Sequence, residues 1–304
     1  MPHLHFHLFG ATTPAGDSFR ELVAGESGLW SLSGYSRNHA TQFEWMHQAD
    51  FLDPAAFHPQ SLQDGLWISF APIWLLATFF HQLAVSHPER LQGLRGVIAC
   101  SSSSVITKRF ATNQSDRQLV HRLVAAEAQL RATCLSLQIP CRILRPTLVY
   151  GQVGPYGDHN LSRLLAIMRR LPCMLLPADT GLRQPIHARQ LATVALQLAR
   201  QLSVTGWNPM QAECIAVGGD TELSYADMLR ALQRSVPQSD PARRCRLLSI
   251  SNPLFFLLAA PLLLWSSKAF EAVLRMSADL SGFTPAHQLT GEPHQPFPLM
   301  PLAR

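Results

Sequence analysis

His3-Leu4-His5-Phe6-His7-Leu8-Phe9-Gly10-Ala11-Thr12-Thr13-Pro14-Ala15-Gly16 begins as a short apolar strand-like run and stops at a glycine. Residues 16–24 then carry the spacing of a helix. Strand, tight turn and helix are thus compressed into about two dozen residues, with two glycines six positions apart where one element gives way to the next. A side chain at such a turn would stand between a ligand and the free N–H groups of the helix N-terminus.

Working outward, further compact apolar runs with little polar alternation occur at 29–35, 66–70, 96–100 and 141–144. Runs of this kind suit parallel strands buried on both faces. The apolar helical stretch 72–84 has the length that a crossover requires. In the clearest helix, 115–137, Leu119, Leu123, Ala126 and Leu130 recur at helical spacing, and Ser115 or Asp116 is available as the cap. The alternation predicts an α/β fold: a doubly wound parallel sheet of Rossmann type over residues 1–150. After residue 150, loops rich in Gly and Pro, helices near 161–171 and 188–202, and a strand at 213–217 predict a smaller C-terminal substrate domain (151–182 and 206–304). Residues 183–205 are expected to pack back on the first domain.

Composition removes several alternatives. The chain has 304 residues, 47% hydrophobic and 15% charged, with a net charge of +5. That supplies a sizeable core, and the small scattered basic clusters do not form the single face of a nucleic-acid reader. Six cysteines show no framework spacing, and the start shows no basic-then-apolar leader pattern, so a reducing cytoplasm is expected. The apolar run 253–265 contains two prolines and falls short of the roughly 18 residues that span a bilayer. It is expected to be buried against the C-terminal domain, with no membrane contact. His3, His5 and His7 alternate, but a buried strand without companion carboxylates gives no metal site.

The glycine turn fits a dinucleotide, whose pyrophosphate needs close approach to a helix N-terminus. Tyr35-Ser36-Arg37-Asn38 follows the second strand, where an acidic residue would bind the free ribose hydroxyls of NAD and an arginine pairs with the 2′-phosphate of NADP. Arg37 favours NADP over NAD.

Gly10-Ala11-Thr12-Thr13-Pro14-Ala15-Gly16 resembles the GATGxxG turn of the extended and atypical short-chain dehydrogenases/reductases, the NAD-dependent epimerase/dehydratase group. Further matches occur in order. Ala49-Asp50-Phe51 resembles the acidic residue that meets adenine, Phe70-Ala71-Pro72 the loop after the fourth strand, and Ser101 to Val105 the serine-rich end of the fifth. Leu144-Arg145-Pro146-Thr147-Leu148-Val149-Tyr150-Gly151 is similar to LRPxxxYG, and Gln184-Pro185-Ile186-His187 to the strand that returns to the first domain. The resemblance covers residues 3–205. It implies cofactor contacts from Gly10, Thr12, Thr13, Pro14, Ala15, Gly16, Ser36, Arg37, Asn38, Asp50, Phe51, Ala71, Pro72, Ser101, Pro146 and Thr147, with Tyr150 near the substrate. Thr13 replaces the usual middle glycine, where a side chain would crowd the pyrophosphate.

The resemblance also implies a Tyr-x-x-x-Lys pair on the long helix, both side chains on one face, with Lys holding the ribose and lowering the Tyr pKa. Glu127 resembles the glutamate eight residues after that Tyr, which places the pair at Leu119 and Leu123. Neither leucine moves a proton. From residue 106 to 141 there is no Tyr, Lys108 precedes the helix, and His121 lies about 200° around it from Leu119. Ser102 matches the catalytic Ser or Thr position. The expectation is an NADP-binding protein, either an NADPH-dependent oxidoreductase with a non-standard site or a non-catalytic dinucleotide sensor or scaffold. A nucleotide-sugar epimerase or dehydratase shares the fold but needs the missing proton chemistry. An unidentified small-molecule substrate and a homodimer remain open.

Overall fold

The computed structural model describes residues 4–26, 30–37, 43–59, 65–206, 208 and 213–299. From the N-terminus run β1 (Leu4–Phe9), α1 (Pro14–Gly25), β2 (Trp30–Ser36), β3 (Met46–Gln48), β4 (Gly65–Ser69), α2 (Ile73–Ser86) and β5 (Leu94–Cys100). They are followed by α3 (Ser104–Thr107), α4 (Gln114–Ser136), β6 (Cys141–Pro146), β7 (Val149–Tyr150), α5 (Leu161–Arg170), β8 (Cys173–Pro177), β9 (Leu182–Arg183) and β10 (Ile186–His187). The rest comprises α6 (Ala188–Thr205), β11 (Glu213–Gly218), β12 (Leu223–Ser224), α7 (Tyr225–Ser235) and β13 (Arg246–Ile250). Last come α8 (Asn252–Ala259), α9 (Leu262–Trp265), α10 (Ser267–Leu274), β14 (Thr284–Pro285) and α11 (Ala286–Thr290).

Eight strands form one parallel sheet in the order β14-β11-β6-β5-β4-β1-β2-β3. The order reverses between β1 and β4, which opens a crevice at their carboxyl ends. Alternation along the strands feeds two cores. Leu66 and Ile68 of β4 face α1 and α6, packing with Phe19, Val23, Leu191 and Ala195. Trp67 faces the opposite side, where Phe79 and Phe80 of α2 and Leu123, Ala126 and Leu130 of α4 close a second core. Each fully buried Phe or Leu there stabilises the layer by about 1.5–3 kcal/mol, which explains why α2 holds its place without a side-chain cap. A third core unites Leu161, Leu165 and Met168 of α5 with Met228, Leu229 and Leu232 of α7.

Three expectations need correction. Asn113, not Ser115 or Asp116, caps α4 by accepting the N–H of Asp116 at 2.8 Å. The strand at 213–217, assigned by pattern to the smaller domain, runs as β11 in the main sheet between β6 and β14, two parallel neighbours that sequence order alone does not show. The apolar run 253–265 is only partly covered. Phe255 and Ala259 point inward, while Leu254, Leu257, Leu258 and Leu264 are exposed.

Candidate functional site

The turn after β1 is built on close backbone approach. Gly10 has φ +76°, and a Cβ there would stand 2.6 Å from the amide nitrogen of Ala71, in the loop after β4. A Cβ on Gly16 would lie 2.2 Å from the carbonyl oxygen of Gly10. Gly10 is therefore required by the close approach of the loop after β4, and Gly16 by the turn folding onto itself. Thr13 is the helix cap: its hydroxyl donates to Gly10 O at 2.7 Å and accepts from Gly16 N at 3.1 Å. Pro14 at the first helical position has no N–H, and Asp17, buried in the first turn, carries a carboxylate paired with Arg20 at 2.7 Å. The start of α1 thus offers an anion fewer donors than an uncapped helix would, with a negative charge close behind. The Thr-Pro pair was the sequence signal for this cap.

A groove follows the carboxyl edge of the sheet in three stretches. The first, about 250 Å³, is lined by Gly10, Thr12, Thr13, Ser36, Arg37 and Phe51, with Ala71 and Pro72 opposite. Arg37 is exposed at its rim. Asp50 is not among the lining residues; its carboxylate accepts from Leu52 N at 2.9 Å. Asn38 lies outside the described residues. The second stretch, about 470 Å³, shares Thr13, Ala71 and Pro72 with the first and continues along Pro14, Ala15, Ser101, Ser102 and Pro146. Its walls include Trp74, Leu119 and Leu123. The third, about 440 Å³, shares Ser101, Ser102 and Pro146 and adds Thr147 together with Lys108, Arg183 and Arg275.

Glu127, 2% exposed, fixes the register of α4. It accepts from Ser101 Oγ at 2.6 Å and from Arg145 through Nε at 3.0 Å and a second guanidinium nitrogen. Leu123 and Leu119, one and two turns earlier, share its face and reach the groove. His121 is exposed. Ser102 Oγ accepts from Ser104 N at 3.1 Å and has no ionisable partner within the hydrogen bonds that the described residues make.

Tyr150 does not reach the groove, contrary to expectation. It is buried between His187 and Phe297, its hydroxyl accepts from Leu299 N at 2.9 Å, and burial pushes the phenol up well above its ordinary range. The strand end that carries it turns into the third core. His5 bonds Ser31 and Ser33, and His7 bonds Tyr35; His3 is outside the described residues. Sequence reasoning missed the cations of the third stretch. Lys108 is held by Asp116 at 2.8 Å, and Arg275 by Asp116 and Glu271. Buried Arg183 instead donates to the carbonyls of Leu182, Ala278 and Arg275, with its guanidinium over Tyr225. Arg183 stands directly before the Gln184 segment, the one clue that sequence provided.

No protein-family model and no curated protein matches this chain. Solved structures do. A human epimerase family protein with NADPH superimposes with a TM-score of 0.62 at 12% identity, over 97% of this chain and 96% of that one. A nucleoside-diphosphate-sugar epimerase from Staphylococcus aureus gives 0.59 at 13% identity, over 96% and 98%. UDP-glucuronic acid 4-epimerase from Bacillus cereus, in complex with NAD, gives 0.58 at 15% identity, over 95% of each chain. The chain therefore has the fold of the NAD-dependent epimerase/dehydratase proteins, a Rossmann-type α/β fold with a C-terminal extension.

Proposed function

We propose that this chain is a nicotinamide-dinucleotide-binding protein of the extended short-chain dehydrogenase/reductase type that favours NADP and has given up tyrosine-driven hydride chemistry. The observation that carries the reading is the pair of adjoining cavities, sharing Thr13, Ala71 and Pro72, that reach from Arg37 to Ser102 and are walled by Leu119 and Leu123. Its adenosine end suits the cofactor: Phe51 and Pro72 offer apolar contact, and exposed Arg37 is free to meet a 2′-phosphate. Neighbouring folds solved with NADPH or NAD support a nicotinamide dinucleotide as the ligand.

The reacting end fits less well. A bound nicotinamide dinucleotide supplies a hydride, and its use needs a nearby acid to take up or deliver the accompanying proton. Leucine at 119 and 123 supplies neither a cation for the ribose nor an acid for the substrate oxygen. A sensor or scaffold that changes state with its dinucleotide accounts for both ends of the groove, with any small polar ligand seated in the third stretch beside Lys108, Arg183 and Arg275. Calorimetric titration with NADPH tests this reading, together with a panel of aldehydes, ketones and nucleotide sugars. Binding without appreciable oxidation of NADPH is expected; absence of any dinucleotide binding overturns it.

A further inference from the structure

The second and third stretches of the groove adjoin at Ser101, Ser102, Pro146 and Val149, which line both. Their chemistry is opposite. The second, about 470 Å³, is walled by Trp74, Leu119, Leu123, Val149 and Leu191, and its hydroxyls are those of Thr13, Ser101 and Ser102. Two of these are already spent within the protein: Thr13 donates to Gly10 O at 2.7 Å and Ser101 to the Glu127 carboxylate at 2.6 Å. A ligand in this stretch meets hydrocarbon, and a charged group placed there loses water without gaining a partner.

The third stretch, about 440 Å³, is lined by Lys108, Arg183 and Arg275 and, among the described residues, by no carboxylate. Asp116 and Glu271 bond Lys108 and Arg275 from outside the lining. Arg183, 8% exposed, bonds carbonyls instead. Its Nη1 donates to Leu182 O and Ala278 O, both at 2.7 Å, and its Nη2 to Arg275 O, while Nε makes no hydrogen bond among the described residues. Asp279 favours the charge from a distance, its carboxylate accepting from Leu182 N. Burial works against that charge, and carbonyls alone do not neutralise it. An oxyanion seated in this stretch would do so and would use the open donor.

We infer that the ligand of these adjoining cavities is an amphipathic phosphate ester. Its head lies in the third stretch beside Lys108, Arg183 and Arg275, and its hydrocarbon body in the second against Leu119 and Leu123. Cations and apolar wall then act on the two ends of one molecule, and joined ends bind more tightly than either alone. A phosphate monoester carries about −1.5 to −2 charges at pH 7, closer than the single charge of a carboxylate to what a cavity lined by three cations accepts. No aromatic side chain lines the third stretch among the described residues, so a nucleoside joined to the phosphate finds no stacking partner there. The inference rests on the reading above in placing the polar end of the ligand in the third stretch; it does not require a bound dinucleotide.

Calorimetric titration of the intact protein with octyl phosphate, below the concentration at which it forms micelles, tests the assignment against inorganic phosphate, 1-octanol and octanoate. Octyl phosphate is expected to bind at least about tenfold more tightly than each of the three, since every buried methylene is worth about fourfold. Leu119→Asn and, separately, Lys108→Gln should each weaken octyl phosphate about tenfold, the first leaving inorganic phosphate as it was and the second leaving octanol. Circular dichroism verifies that both variants are folded, and should Lys108→Gln fail to fold, the ratio of octyl phosphate to octanol in the wild type decides the role of the head. Octyl phosphate no tighter than octanol or inorganic phosphate, octanoate as tight as octyl phosphate, or a folded Leu119→Asn that binds octyl phosphate as the wild type does, overturns the proposal. NADPH is titrated separately: octyl phosphate bound as expected with no binding of NADPH supports this site and removes the dinucleotide reading, and the reverse result does the opposite.

Discussion

Thr13 Oγ1 accepts the N–H of Gly16 at 3.1 Å, so the residue that replaces the middle glycine of the turn caps the helix that the turn introduces. The N–H is thereby taken from any anion that approaches. Replacing Thr13 with glycine is expected to return this donor and remove a side chain from the groove, strengthening NADPH binding by about three- to tenfold, the range of one net hydrogen bond. Stability should fall by only a few tenths of a kcal/mol, the usual difference between Thr and Gly as caps. Titration calorimetry and a melting curve measure the two effects; weaker binding in the variant would mean that the threonine hydroxyl itself faces the ligand.

Arg37 stands exposed at the rim of the first stretch, and Gln48 Nε2 donates to its backbone carbonyl, not to its side chain. The guanidinium is the group expected to separate the two dinucleotides. A charge-assisted contact contributes about 1.5–3 kcal/mol, which corresponds to a preference for NADPH over NADH of about ten- to a hundredfold. In Arg37→Ala that ratio is expected to collapse toward one, with NADH affinity nearly unchanged. An undiminished ratio would assign the discrimination elsewhere.

The sheet was legible in sequence because its strands are buried on both faces and their apolar runs stand out without alternation. In the structure the Glu127 carboxylate bonds Ser101 and Arg145, so the helix face that carries Leu119 and Leu123 is tied to both neighbouring strand ends. What sequence did not give depends on contacts between distant segments. Nothing local says that Tyr150 turns inward to meet Leu299, or that β11 closes the sheet beside β6. The leucines of α8 read as core because composition records hydrophobicity and not which face is covered.

Acid should loosen the joint between α10 and the start of α4. Burial works against the charge on Glu271, but hydrogen bonds from Thr112, Asn113 and Arg275 outweigh it and hold its pKa at about 2, below the ordinary 4.5. Burial also opposes the charge on Asp116, and Lys108, Asn113 and Arg275 depress its pKa further still. A carboxylate depressed in the folded state contributes stability that is full above its unfolded pKa and disappears as pH falls through the folded one. The melting temperature is therefore expected to decline from about pH 4.5 toward pH 2. Glu271→Gln should melt lower at pH 7 and show a shallower acid decline. Equal slopes for variant and wild type would remove Glu271 from that role.

Leu119 and Leu123 line the groove one turn apart, together with Ser102, Pro14 and Ala15, at the positions where the sequence resemblance implies an acid and a cation. Leu123 is buried and Leu119 partly so, which makes this wall a continuation of the core under α2 and α4. Positioned acid–base catalysis is worth about 100- to 10,000-fold, so against a typical turnover near 10 per second the wild type is expected to oxidise NADPH at about 0.001–0.1 per second on its best substrate. The double change Leu119→Tyr with Leu123→Lys tests whether the scaffold still orients a cofactor for chemistry. Lysine at a buried position destabilises the fold, so Leu119→Tyr alone serves as the gentler variant, with the melting temperature recorded for both. A rise in turnover in either folded variant would show that only the proton relay is missing. Wild-type turnover of about 1 per second or more would contradict the proposed loss and direct the search for a donor to Ser102, which borders both the second and third stretches of the groove.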